Sequence, residues 1–136
     1  MSKAPPPSSD AGRILSELGL PPAVRVDLYD TLLNAARRMQ AANAEASAVV
    51  EHGCLVGFID EDHPDTHAVR YGHDPSDTRV EEVMTKGRIY CFEDQRCEDA
   101  LRVMEENHLR HMPVVDHGMA PVGMVSRAEV SRALDA

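Results

Sequence analysis

Two polar side chains three positions apart, Ser126 and Glu129, stand where an apolar run gives way to a polar one. Their S-x-x-E spacing is that of a capping box, in which hydroxyl and carboxylate each accept the other residue's amide at a helix start. His63 and His67 lie four apart and on a helix would share a face, with Asp60 and Asp62 near as oxygen ligands for a metal. The same segment also reads as an acidic helix start with Pro64 in its first turn. His52 and His117 fall in turn clusters, where polar residues are ordinary. Cys54, Cys91 and Cys97 are odd in number and show no C-x-x-C spacing, so a reduced, cytoplasmic chain is the simplest reading. No G-x-S-x-G, H-E-x-x-H, Walker or Rossmann glycine pattern occurs, so the chain is not expected to be an enzyme. The catalytic alternative is a metal-dependent activity on His63 and His67.

The charge balance narrows the partners further. With 14 Lys and Arg against 23 Asp and Glu, and a net charge of −9, the chain lacks the clustered cations that phosphate neutralisation requires, so no nucleic acid is expected. No apolar run approaches the roughly 20 residues that span a bilayer, and the N-terminus carries no signal-like core, so neither membrane nor secretion is expected. Tryptophan is absent, leaving Met, Val, Leu and Ala to build the core.

Positioning these residues requires an alternation of short strands and helices. Residues 1–10, rich in Pro and Ser, read as a flexible tail. Asp10 caps a short helix over 11–18, closed by Gly19. Residues 24–28 alternate as a half-buried strand, and 32–42 carry Leu32, Ala35, Ala36 and Met39 at helical spacing, capped by Asp30 or Thr31. A hairpin follows, with Ala48-Val49-Val50, a turn at Glu51-His52-Gly53, and residues 55–59. A helix is expected from 60 to 72, then a linker over 73–77. Residues 78–85 read as a short helical turn, 88–92 as a strand, and 96–107 as a helix with Ala100, Leu101 and Met104 inward. A second hairpin, 112–115 and 122–125, turns at Asp116-His117-Gly118 and runs into a terminal helix over 127–134.

The chain repeats itself. Met39 matches Met104, Val49 matches Val114, Val50 matches Val115, His52 matches His117 and Gly53 matches Gly118, an offset of 65; beyond the turn it becomes 66, pairing Gly57 with Gly123 and Asp60 with Ser126. Each half orders strand, helix, strand, strand, helix, with the flanking strands parallel and the hairpin antiparallel. Half of 136 residues is marginal alone, so the halves should pack on each other, and an apolar face left over would favour dimerisation. The expected domains are a tail (1–10), an N-terminal helix with the first repeat (11–77), and a second repeat (78–136).

Val80-Glu81-Glu82-Val83-Met84-Thr85, Arg110-His111-Met112-Pro113-Val114-Val115-Asp116 and Gly123-Met124-Val125-Ser126-Arg127-Ala128-Glu129, in this order and duplicated, resemble a tandem pair of cystathionine-β-synthase (CBS) domains, the Bateman module. The resemblance covers roughly residues 24–134. It implies an α+β fold of two β-α-β-β-α repeats related by a pseudo-two-fold axis. It also implies a regulatory module that binds AMP, ADP, ATP or S-adenosylmethionine between the repeats, with no required cofactor. A homodimer that signals to a protein partner completes the expectation; the alternative is a ligand-free dimerisation module.

By the same resemblance, Ser126 would meet ribose or phosphate and Glu129 would take the place of the family's ribose-binding Asp. Thr85, Lys86 and Gly87 stand where the family's backbone often touches the base. Ile89, Tyr90, Met112, Pro113 and Met124 can wall an adenine, and they suit core packing equally well. Arg110, His111, Arg127 and the amides of the final helix can form a phosphate end. The first repeat places Asp60 where the hydroxyl belongs and His63 where the acid belongs, amid carboxylates that would repel phosphate. The cleft of Ser126 and Glu129 is therefore the one expected to bind.

Overall fold

The computed structural model describes residues 13–59, 74–86 and 89–135. A 3-10 turn at Leu15–Leu18 precedes β1 (Arg25–Asp27), α1 (Leu32–Ala41), β2 (Ser47–Glu51) and β3 (Cys54–Ile59). Then follow α2 (Val80–Val83), β4 (Thr85–Lys86), β5 (Cys91–Phe92), α3 (Cys97–Glu106), β6 (His111–Val115), β7 (Pro121–Ser126) and α4 (Arg127–Asp135). The expected helix over 60–72, with Asp60, His63 and His67, lies outside the described residues.

Local chemistry accounts for the helices. Thr31 caps α1, its Oγ1 accepting from the Asn34 amide at 3.2 Å, and Leu32, Ala35, Ala36 and Met39 form its buried face. Beyond the helix end Asn43 turns left-handed at φ 52°, and the Ala44 amide reaches back to the Met39 carbonyl at 2.9 Å. α3 repeats the device 65 residues on. His108 sits at φ 56° and the Leu109 amide donates to the Met104 carbonyl at 2.8 Å.

Two sheets form, in order β1-β2-β3-β4 and β5-β6-β7. β1 runs parallel to β2 and β5 parallel to β6, and each hairpin is antiparallel, as expected of strands flanking a helix and of strands joined by a tight turn. The first hairpin turns through His52 and Gly53, both at positive φ (53° and 80°), a backbone that glycine adopts without cost. The second connection, 116–120, carries one residue more between the paired Val115 and Pro121 than the first does between Val50 and Leu55. There Asp116 Oδ1 accepts from the amides of Gly118 and Ala120 at 2.8 and 3.0 Å.

The repeats exchange their leading arms. The segment around the 3-10 turn bonds to the second repeat, with Leu15 N donating to Gln95 O at 3.0 Å and Cys97 N to Arg13 O at 3.0 Å. The segment around α2 bonds to the first repeat through the same pair of contacts, Val80 N to Asp30 O at 2.9 Å and Leu32 N to Thr78 O at 2.7 Å. The bridges Ile14 with Arg96 and Thr31 with Arg79 complete the symmetry. Leu15 lies buried among Met104, Met112 and Val125 of the second repeat, and Val80 among Ala35, Met39 and Val49 of the first. A third cluster, Ala48, Leu55 and Val115, joins the two sheets with Tyr90, Phe92, Met119 and Met124 packed around it.

Two local expectations change. Over 11–18 the described part is a 3-10 turn rather than an α-helix, held by Leu15's packing and closed by Gly19 at φ 67°. Among the described residues of the strand expected over 88–92, pairing is confined to Cys91–Phe92, and Thr85–Lys86 joins β3 as a fourth strand, with Gly57 opposite Lys86 and Phe58 opposite Thr85.

Candidate functional site

A cavity of about 280 Å³ opens between the repeats. One wall comes from the second repeat, with His111 at the start of β6, Met124 on β7, and Ser126 and Glu129 at the head of α4. The facing wall comes from the first repeat: the approach to β1 (Pro21, Pro22, Ala23, Val24) and the loop between α1 and β2 (Ala42, Asn43, Ala44, Glu45, Ala46). β6 and β7 bring their polar ends together here, since His111 lies directly opposite Ser126 in the register.

Ser126 and Glu129 form the reciprocal box that their spacing predicts. The Ser126 amide donates to Glu129 Oε1 at 2.8 Å and the Glu129 amide to Ser126 Oγ at 3.0 Å. The pair therefore caps α4 and faces the cavity at once. His111 Nε2 stands 3.3 Å from Glu45 Oε1, a contact that crosses from one repeat to the other. Its side chain is 14% exposed and that of Glu45 79%, so the pair sits at the cavity rim.

Other residues singled out from the sequence lie elsewhere. Arg127 donates from Nη2 to the Met104 carbonyl at 3.1 Å, at the C-terminal end of α3 where exposed carbonyls attract a cation. Its Nε is buried without a hydrogen-bond partner among the described residues. Arg110 is exposed, and its carbonyl accepts from the Arg127 amide at 2.9 Å. Met112 and Pro113 are buried, Met112 wholly within the core of the second repeat. Ile89 and Tyr90 are half-buried against that core and the inter-sheet cluster. Thr85 and Lys86 belong to β4, across the molecule on β3; Gly87 lies outside the described residues. The segment that faces Ser126 is instead 21–24, 65 residues before 86–89, because the arms are exchanged. Glu45 and this segment carry no motif in the sequence, and only the repeat offset could have pointed to 21–24.

Among the described residues no group of three or more His, Cys, Asp or Glu is placed to hold a metal ion, and His63 and His67 lie outside them. Cys91 and Cys97 are buried, and burial pushes the Cys91 thiol up to about 11, with Asp99 adding to the rise. A thiol so raised is a packing residue rather than a nucleophile. No described helix is long and apolar enough to cross a membrane.

An α+β chain made of two arm-exchanged copies of one unit, with a polar-ended cavity where the copies meet, defines the class as a tandem-repeat module with an inter-repeat cleft. The family follows from likeness: the chain belongs to the CBS-domain proteins and has the fold of a tandem CBS pair. Residues 80–136 match the model of the CBS domain. The CBS domain-containing protein CBSCBSPB2 of Arabidopsis thaliana is 31% identical over 113 residues, 82% of this chain and 21% of that protein. The mitochondrial CBSX3 of the same plant is 32% identical over 111 residues, 77% of this chain and 53% of that one. The crystal structure of the CBS domain protein NE2398 superposes with a TM-score of 0.76 at 26% identity, covering 91% of this chain and 98% of its own. The CBS domain pair of protein MJ0100, in complex with 5′-methylthioadenosine and S-adenosyl-L-methionine, gives a TM-score of 0.76 at 23% identity over 90% of this chain and 96% of its own. The chain spans about a fifth of the length of the first curated relatives it matches.

Proposed function

We propose that the chain is a regulatory module that binds an adenosine compound (AMP, ADP, ATP or S-adenosylmethionine) in the inter-repeat cavity and signals its presence to a protein partner. The observation that carries this is the cavity of about 280 Å³ bounded by Ser126, Glu129, Met124 and the backbone of 21–24. Its size lies just below the roughly 300–1,000 Å³ of small-molecule sites. Met124 and Val24 offer apolar surface to a base, and Ser126 Oγ and the Glu129 carboxylate offer acceptors to ribose hydroxyls. The adenosine compounds bound by the MJ0100 pair support the same ligand class. Because the cavity has one wall on each repeat, ligand favours one arrangement of the halves, or of two subunits in a homodimer, and a partner reads the difference. The role needs no cofactor and no catalysis.

A second reading is a ligand-free dimerisation module. It draws on the mutual capping of Ser126 and Glu129, each of which already accepts the other's amide.

Thermal shift separates the two. A ligand at about 100 times its Kd adds roughly 2.7 kcal/mol to stability. Ser126→Ala with Glu129→Ala lowers the unliganded midpoint by removing the cap and is expected to abolish the ligand-dependent increment. An increment that survives the double substitution would refute this site, and none with any adenosine compound would leave the scaffold reading.

A further inference from the structure

The groups around the cavity discriminate among adenosine compounds by what they leave available. A phosphate at a helix start is held by open amides, often helped by a guanidinium. Of the four amides from 126 to 129 at the head of α4, three are engaged: Ser126 with Glu129 Oε1 at 2.8 Å, Arg127 with the Arg110 carbonyl at 2.9 Å, and Glu129 with Ser126 Oγ at 3.0 Å. The guanidinium next in line, Arg127, is turned away to the end of α3. Three of the amides and the Arg127 guanidinium of the phosphate end that the sequence suggests are thus taken up by the protein's own hydrogen bonding.

The charges that do line the cavity are of the opposite kind. Among the described residues, Glu45 and Glu129 bring a carboxylate from each wall, and the one imidazole, His111, lies against Glu45. A phosphate would enter a site with a carboxylate on each wall, Glu129 at the helix head and Glu45 at the exposed rim, where the repulsion is felt most at low ionic strength. The neighbouring open groove shares Ala23, Val24 and Ala42 with the cavity and carries Arg25 and Arg38. Arg25 donates to the Pro121 carbonyl at 2.6 Å, so a phosphorylated tail would have to leave the cavity to meet Arg38. A volume of about 280 Å³ suits a nucleoside with a short substituent better than one with a phosphate chain.

Resting on the reading that the cavity takes an adenosine compound, we infer that its ligand is a nucleoside with a neutral or cationic 5′ substituent, such as a thioether or a sulfonium, and that Glu45 selects against 5′-phosphates. Glu45 is a specificity residue on the first repeat that acts on a ligand seated against the second.

Isothermal titration of the full chain with 5′-methylthioadenosine, S-adenosylmethionine, AMP and ATP at low ionic strength tests this. The thioether and sulfonium compounds are expected to bind at least about tenfold more tightly than AMP. Glu45→Gln, on an exposed loop outside the core, is expected to narrow that ratio by about threefold or more while leaving the melting temperature of the free protein in place. AMP or ATP binding as tightly as 5′-methylthioadenosine would overturn the ligand class and leave the adenosine cleft standing. An unchanged ratio in Glu45→Gln would overturn the role of Glu45. No heat with any of the four at millimolar ligand would remove the cleft reading itself, and this inference with it.

Discussion

His117 sits at the tip of the second hairpin with its ring stacked on Phe92, centroids 4.5 Å apart and planes 15° from parallel, and its Nε2 2.9 Å from Asp94 Oδ2. The hydrogen bond and charge of Asp94 raise the His117 pKa above 6.5, and the same bond lowers that of Asp94 below 3.8. The histidine contribution is complete below pH 6.5 and lost as pH rises through its raised folded value. The aspartate contribution is present above about pH 3.8 and lost as pH falls through its lowered one. The pair therefore helps most between about pH 4 and 6.5. Asp94→Asn keeps the stack and removes the charge, so its melting temperature should fall below the parent's at pH 5.5 and approach it at pH 8.5. A gap of equal size at both values would show that the pair carries no linkage. At this scale the sequence was informative where partners are local: the Ser126–Glu129 box follows from a three-residue spacing. Arg127 was not readable in the same way, because what draws its guanidinium is the end of α3, 23 residues earlier. Glu45 was silent because its meaning comes from His111, which the fold brings in from 66 positions away.

Helices α1 and α3 were legible from four and three apolar positions on one face, and both hairpins from their turn chemistry, since these patterns are written within ten residues. The exchanged strand β4 was not, because Thr85 and Lys86 carry no alternation and their pairing is decided by Gly57. A Cβ on Gly57 would meet the Thr85 carbonyl oxygen at 2.7 Å and Met84 Sδ at 2.8 Å, so close approach of β4 requires glycine at that position. Its counterpart in the second repeat, Gly123, faces side-chain atoms of Leu20 at 3.3 Å, which can yield by a few tenths of an ångström. Gly57→Ala is thus expected to cost about 2–3 kcal/mol by prising β4 off β3, and Gly123→Ala about 1 kcal/mol or less. Chemical denaturation of both variants checks the order. Equal losses, or a larger loss at Gly123, would mean that backbone contact with β4 is not what the glycine serves.

The arms tie the halves into one cooperative body. Leu15 and Val80 are each wholly buried in the repeat that their own half does not otherwise build, and the cluster of Ala48, Leu55 and Val115 closes the space between the sheets. Neither half contains its whole core, so the duplication visible in the sequence marks the unit of descent rather than the unit of folding. That distinction lies beyond any local pattern, because the bonds that make it, such as Leu15 to Gln95, span most of the chain. Leu15→Ala is expected to cost about 2–5 kcal/mol, as a fully buried Leu does when the space left behind cannot collapse. The loss should appear as one shifted transition in which probes in the two repeats melt together. A fragment of residues 78–136, which lacks the arm that fills its core, should show no cooperative melt alone and gain one on mixing with residues 13–77. A sharp transition in the isolated fragment would mean that each repeat folds by itself and that the exchanged arms only dock onto finished units.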